Sequence, residues 1–82
     1  MFKIDFTQIA LNDLKDIDRE SKKRIMVKLK EYTAEPLKYA RKLTNPKIGN
    51  YRFRIGNYRV IFDIEGDNIV VLRVGHRKDI YK

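Results

Sequence analysis

The stretch Tyr51-Arg52-Phe53-Arg54-Ile55-Gly56-Asn57-Tyr58-Arg59-Val60-Ile61-Phe62 decides the fold. Its first five residues alternate strictly between apolar and arginine, the period of a half-buried strand. Gly56-Asn57 is a two-residue hairpin turn, because both residues tolerate positive φ. The turn fixes the register: Ile55 faces Tyr58, Arg54 faces Arg59, and Arg52 faces Ile61. Side chains alternate between the faces of a sheet. Tyr51, Phe53, Ile55, Tyr58, Val60 and Phe62 therefore share one face, and Arg52, Arg54 and Arg59 share the other.

Working outward, residues 58–64 are the return strand, Glu65-Gly66-Asp67-Asn68 is a second turn, and residues 69–74 are a third strand. Upstream, Pro36, Pro46 and Gly49 punctuate a connector over residues 37–50, with Leu43 and Ile48 as its anchors to the core. Ile25, Met26, Leu29 and Tyr32 recur at helical spacing, after a cap at Asp18 or Ser21 and before a stop at Pro36. Ala10, Leu11, Leu14 and Ile17 mark an earlier helix capped by Thr7. Phe2, Ile4 and Phe6 alternate as an N-terminal strand. The order β-α-α-β-β-β predicts an α+β fold: a small antiparallel sheet with a helical hairpin packed on one face. Residues 1–82 form a single domain. Arg73 fits badly, because the register through the second turn sets it opposite Val60 on the apolar side. Either the strand bulges there, or Arg73 reaches past the core edge into water.

The apolar fraction of 43% suits a globular domain. The absence of cysteine excludes disulfides, thiol nucleophiles and cysteine metal sites. No apolar run approaches the roughly 20 residues of a membrane span, and the N-terminus has no secretion signal, so the cytoplasm is the expected compartment. The net charge is +8. Residues 1–40 carry 9 basic and 7 acidic side chains, and residues 41–82 carry 10 and 4. The excess sits in the C-terminal half. A localised cationic surface suits a polyanion such as RNA.

Like charges directly opposite on a sheet repel, and the nearest acid on these strands, Asp63, cannot neutralise three arginines. Exposed arginines are often a solvated face. Guanidinium forks are equally suited to gripping phosphate through paired hydrogen bonds. Lys47 in the connector and Lys78 near the C-terminus are expected to contact RNA beside Arg52 and Arg54. His76, the single histidine, is a candidate for proton transfer near cationic side chains, or a structural hydrogen-bonder. Tyr81 either packs at the terminus, stacks on a base, or serves in acid–base chemistry.

Two segments carry a resemblance to a known family. One is Leu43 with residues 51–62; the other is Val74-Gly75-His76-Arg77-Lys78-Asp79-Ile80-Tyr81. Together they resemble the RelE/ParE superfamily of toxin–antitoxin toxins, and the Tyr58–Phe62 strand with the Val-Gly-His-Arg ending resembles its RelE branch. The resemblance implies a ribosome-dependent mRNA endonuclease acting in the A site. It implies that the RNA 2′-hydroxyl is the nucleophile and that a 2′,3′-cyclic phosphate remains. It further implies that Arg52, Arg54, Arg59 and Arg77 surround the scissile phosphate, and that Tyr81 orients a base or activates the 2′-hydroxyl. Neither metal nor organic cofactor is expected. The implied partners are an acidic RelB-like antitoxin, the ribosome and mRNA. Arginine is a poor base, so proton abstraction falls to His76, Tyr81 or a ribosomal group. A ParE-like inhibitor of DNA gyrase and a noncatalytic RNA-binding module are the alternatives.

Overall fold

The computed structural model describes residues 2–44 and 48–80; Lys47 and Tyr81 lie outside the described residues. The elements are β1 (Lys3–Phe6), α1 (Gln8–Lys15), α2 (Arg19–Tyr32), α3 (Pro36–Tyr39), β2 (Arg41–Lys42), β3 (Tyr51–Ile55), β4 (Tyr58–Glu65) and β5 (Asn68–His76). The sheet order is β1-β5-β4-β3-β2. β2 to β5 are antiparallel neighbours, and β1 joins the edge parallel to β5. The α+β class and the helices on one face are as the sequence predicts. The connector differs: it holds the short helix α3 and the strand β2. Pro36 does not only stop α2. It opens α3 from the first turn, where its missing N–H is not needed.

Both long helices begin at caps. The Thr7 hydroxyl accepts from the Ala10 amide at 3.1 Å and donates to the Leu72 carbonyl at 3.0 Å. One side chain thus starts α1 and ties it to β5. The Asp18 carboxylate accepts from the Ser21 amide at 3.0 Å. That bonding to Ser21 holds the Asp18 carboxyl below its ordinary pKa. The cap therefore stabilises α2 above the ordinary carboxylate range and is lost as the pH falls through the lowered value.

The core lies between the sheet and the helices. Ala10, Leu14, Ile25 and Leu29 meet Phe53, Ile55, Val60, Phe62, Ile69, Val71 and Val74. Phe53 and Phe62 stack at 4.2 Å between centroids. Tyr32 packs on Phe53, and Tyr39 of α3 stacks on Tyr32 at 4.4 Å. Each fully buried large apolar side chain contributes about 1.5–3 kcal/mol.

The predicted β3–β4 register is observed at all five pairs. The turn itself differs in detail. Gly56 has φ +57°, and no described residue other than glycine has positive φ. That is the pattern of a type II′ turn, with glycine at the first central position. Between β4 and β5 the register slips by one residue: Phe62 pairs with Val71, but Ile61 pairs with Arg73. Leu72 is the extra residue of a β-bulge, which moves Arg73 away from Val60. A one-residue slip exchanges faces for everything beyond it. Val74 thereby enters the core, Gly75 comes opposite Arg59, and His76 opposite Tyr58.

Candidate nucleic-acid interface

Arg52 and Arg54 are two residues apart on β3 and share the sheet face away from the helices. Arg54 lies opposite Arg59 on β4. Arg52 also lies opposite Arg41 on β2, so Arg41 joins the arginine face. β2 is only two residues long, so the sequence predicts connector there and does not place Arg41 on this face. Asp63, the nearest acid on these strands, is engaged elsewhere: its Oδ1 accepts from the Asn50 amide at 2.8 Å. Among the described residues, no carboxylate forms an ion pair with Arg41, Arg52, Arg54 or Arg77.

Arg41, Arg52, Arg54 and Arg59 are not equivalent. Arg41 and Arg54 are exposed and Arg52 is half-buried, whereas Arg59 is only 5% exposed. Its neighbours account for this. Opposite Arg59, Gly75 offers no side chain, and Ile80 occupies the space in front of it, 3.4 Å from where a Cβ would stand. Along the same strand, Ile61 is covered by Gly49. A Cβ at Gly49 would sit 2.6 Å from Ile61 Cγ2 and 2.9 Å from Leu72 Cδ1, and its φ is +151°. Only glycine allows the chain this close. Arg59 Nη1 donates to the Gly56 carbonyl at 3.0 Å and the Tyr58 carbonyl at 2.9 Å. The guanidinium is therefore fixed before any ligand arrives, a preorganised cation beside the exposed Arg54.

The end of β5 brings Arg77 to the same turn, through a backbone bond from the Arg77 amide to the Asn57 carbonyl at 2.8 Å. Asp79 and Ile80 then donate to the His76 carbonyl, closing a tight turn. His76 does not join the arginines. Paired with Tyr58, it stands on the helix side of the sheet, with the two rings edge-on at 5.7 Å. Its Nδ1 accepts from the Lys78 amide at 3.2 Å. The hollow that it lines, about 300 Å³, is bordered by Asp13, Asp16, Asp79 and Arg73. The expectation of a histidine among cations is thus corrected, and the β5 bulge is the reason. Arg73 is held by Asp13 through Nε at 2.8 Å and Nη2 at 3.2 Å, while the Val74 amide donates to the same carboxylate at 3.0 Å. The hydrogen bond to Asp13 raises the Arg73 pKa. Lys78 is exposed beside this turn.

This arrangement offers one buried, hydrogen-bonded guanidinium and several exposed ones on one open face. Among the described residues there is no group of carboxylates and histidines that could hold a metal ion, and no helix is long and apolar enough to cross a membrane.

Residues 4–81 match the family model described as ParE toxin of type II toxin–antitoxin system, parDE. The chain is 36% identical to toxin RelE3 of Methanocaldococcus jannaschii, over 96% of this chain and 94% of that one. It is 31% identical to toxin RelG of Mycobacterium tuberculosis, over 99% and 97%. Its fold is similar to the toxin in the RelB–RelE antitoxin–toxin complex of Methanococcus jannaschii, with a TM-score of 0.73, 33% identity and 94% of each chain covered. The chain belongs to the RelE/ParE family of toxins of type II toxin–antitoxin systems.

Proposed function

We propose that this toxin is a ribosome-dependent mRNA endonuclease that acts in the cytoplasm. The observation that carries this reading is the pair of opposed arginine couples, Arg41 with Arg52 and Arg54 with Arg59, on one sheet face. Placing like charges opposite each other costs stability, and a phosphodiester backbone recovers that cost by neutralising both. Arg52 and Arg54, with Lys47 and Lys78, hold the RNA strand. Arg59 and Arg77 meet the charge that builds on the scissile phosphate. The 2′-hydroxyl attacks phosphorus, the bond to the 5′-oxygen breaks, and a 2′,3′-cyclic phosphate and a 5′-hydroxyl result. The 2′-hydroxyl proton passes to Tyr81 or to a ribosomal group, and the leaving 5′-oxygen takes its proton from the Arg77 guanidinium, which regains one from water. His76, on the other face, is a positioning residue: its bond to the Lys78 amide orders the turn that presents Arg77. No metal enters this scheme.

The site supplies cations and lacks a strong base, so in-line alignment of the 2′-hydroxyl must come from elsewhere. A codon held by the ribosome supplies it. The purified chain should leave bare mRNA nearly intact and cut it when translating ribosomes are added, as read by primer extension. Equal cutting of both would refute ribosome dependence. An acidic RelB-like antitoxin is the proposed natural partner, as in the complexes of the similar toxins. The matching family model bears the ParE name, which favours a second reading, inhibition of DNA gyrase. Supercoiling assays on the same preparation separate the two: intact mRNA with blocked supercoiling selects the second reading.

A further inference from the structure

We infer that Arg24 of α2 is a further RNA-binding residue of this site, gripping a phosphate on the helical flank of the β3–β4 turn. The inference rests on the proposed RNA reading and extends it to a residue outside the sheet. The turn is the meeting point. A Cβ at Gly56 would lie 3.6 Å from Arg24 Cζ, 3.6 Å from Nη1 and 3.8 Å from Nη2. The guanidinium of Arg24 therefore lies in van der Waals range of the turn, over the open side of Gly56. On the same glycine, the carbonyl accepts from Arg59 Nη1. The neighbouring Asn57 carbonyl accepts from the Arg77 amide. Three cationic residues from α2, β4 and the segment after β5 thus converge on two turn residues.

Arg24 is exposed and has a helical partner within reach, Glu20, in the favourable i, i+4 order. Among the described residues it forms no ion pair with Glu20 or any other carboxylate. The guanidinium is laid on the turn instead, with its charge uncompensated. Glu20, Lys23, Arg24, Val27 and Lys28 border a shallow hollow of about 440 Å³ on the outer side of α2, so the cationic surface continues beyond Arg24. A strand of RNA that crosses the arginine face past Arg54 and rounds the hairpin end meets Arg24 next. Packing against the turn leaves a planar fork for bidentate phosphate contact, which a lysine ammonium cannot reproduce.

The test compares Arg24→Gln, which keeps much of the packing, with Arg24→Lys and with Arg19→Gln. The last removes the same charge from the same helix, away from the turn. Binding of a short single-stranded RNA is followed by fluorescence anisotropy across a salt series, and cleavage on programmed ribosomes by half-saturation and saturated rate. Arg24→Gln should weaken RNA binding about ten-fold and lower the salt slope by about 0.7, one phosphate's worth on a single strand. It should shift half-saturation far more than the saturated rate. Arg24→Lys should recover the slope and only part of the affinity. If Arg24→Gln matches Arg19→Gln on both substrates while the parent protein binds and cuts, the Arg24 role is overturned and the RNA reading stands. If the effect appears on ribosomes and not on short RNA, Arg24 does not hold the cleaved strand, and the inference fails. If the parent neither binds nor cuts RNA, both fall. Unchanged thermal unfolding of Arg24→Gln checks that the turn is intact.

Discussion

The two faces of the central hairpin come from the same ten paired residues, 51–55 and 58–62, and they are opposites. On the helix side, Phe53, Val60 and Phe62 are fully buried under α1 and α2. On the other side, Arg52, Arg54 and Arg59 stand with Arg41 across the strands. One face stabilises the domain by removing apolar surface from water. The other spends part of that stability on like-charge opposition. The comparison teaches that fold and site share one register, so a slip would ruin both, whereas a substitution on the core face should act first on stability and one on the arginine face first on binding.

The strongest way to break the contrast is Phe53→Ala. Phe53 is completely buried and stacked on Phe62, so its loss should cost about 3–5 kcal/mol. A domain of this size has a total stability of about 4–12 kcal/mol. Urea denaturation should show a large fall in the midpoint, with loss of toxicity following from unfolding. Next in size is Arg77→Ala. Arg77 is exposed and only its backbone is pinned, so stability should change by less than about 0.5 kcal/mol. Cleavage on ribosomes should fall about 10²-fold. Wild-type cleavage by a folded Arg77→Ala variant would remove Arg77 from the site. Arg59→Ala is a less clean probe, because it also strips a donor from the Gly56 and Tyr58 carbonyls.

The hairpin was legible because a two-residue turn leaves no freedom in pairing, and arginine and aromatic residues mark the two faces unmistakably. The caps at Thr7 and Asp18 were legible for a similar local reason. What stayed hidden depends on tertiary contacts. Pro36 is as good a helix opener as a helix stop, and only Tyr39 stacking on Tyr32 decides for α3. β2 is two residues long, too short for periodicity, so Arg41 went unnoticed. The sequence did register strain at Arg73, but the bulge could not be located without the contacts that hold it, and its position decides the face of His76. The burial of Arg59 goes with the bare Gly75 opposite it and with Ile80 over that glycine, which come from distant parts of the chain.

The bulge offers a test of intermediate size. Asp13 holds Arg73 and the Val74 amide together, just beyond the point where β1 stops covering β5. Asp13→Ala leaves that amide and the guanidinium to find water, at a cost of about 1–3 kcal/mol. The loss should appear in urea midpoints, and hydrogen exchange should quicken at Val74 ahead of Val60. Unaltered protection at Val74 would mean that the bulge is held by β-pairing alone.

The smallest expected effect tests the arginine face most directly. Arg54→Thr removes one member of the Arg54–Arg59 opposition and installs a β-branched residue that suits a strand. If the face is strained by charge, the variant should be more stable than the parent by about 0.2–1 kcal/mol while binding RNA less tightly. The gain must also depend on salt. Screening lengths shorten from about 10 Å at 0.1 M to about 3 Å at 1 M, so repulsion in the parent is masked at high salt and the advantage of Arg54→Thr should shrink. Urea titrations of both proteins at low and high salt measure the difference. A variant that is less stable, or a gain that ignores salt, would show that the opposed arginines cost the free protein nothing and that the two faces differ in function but not in strain.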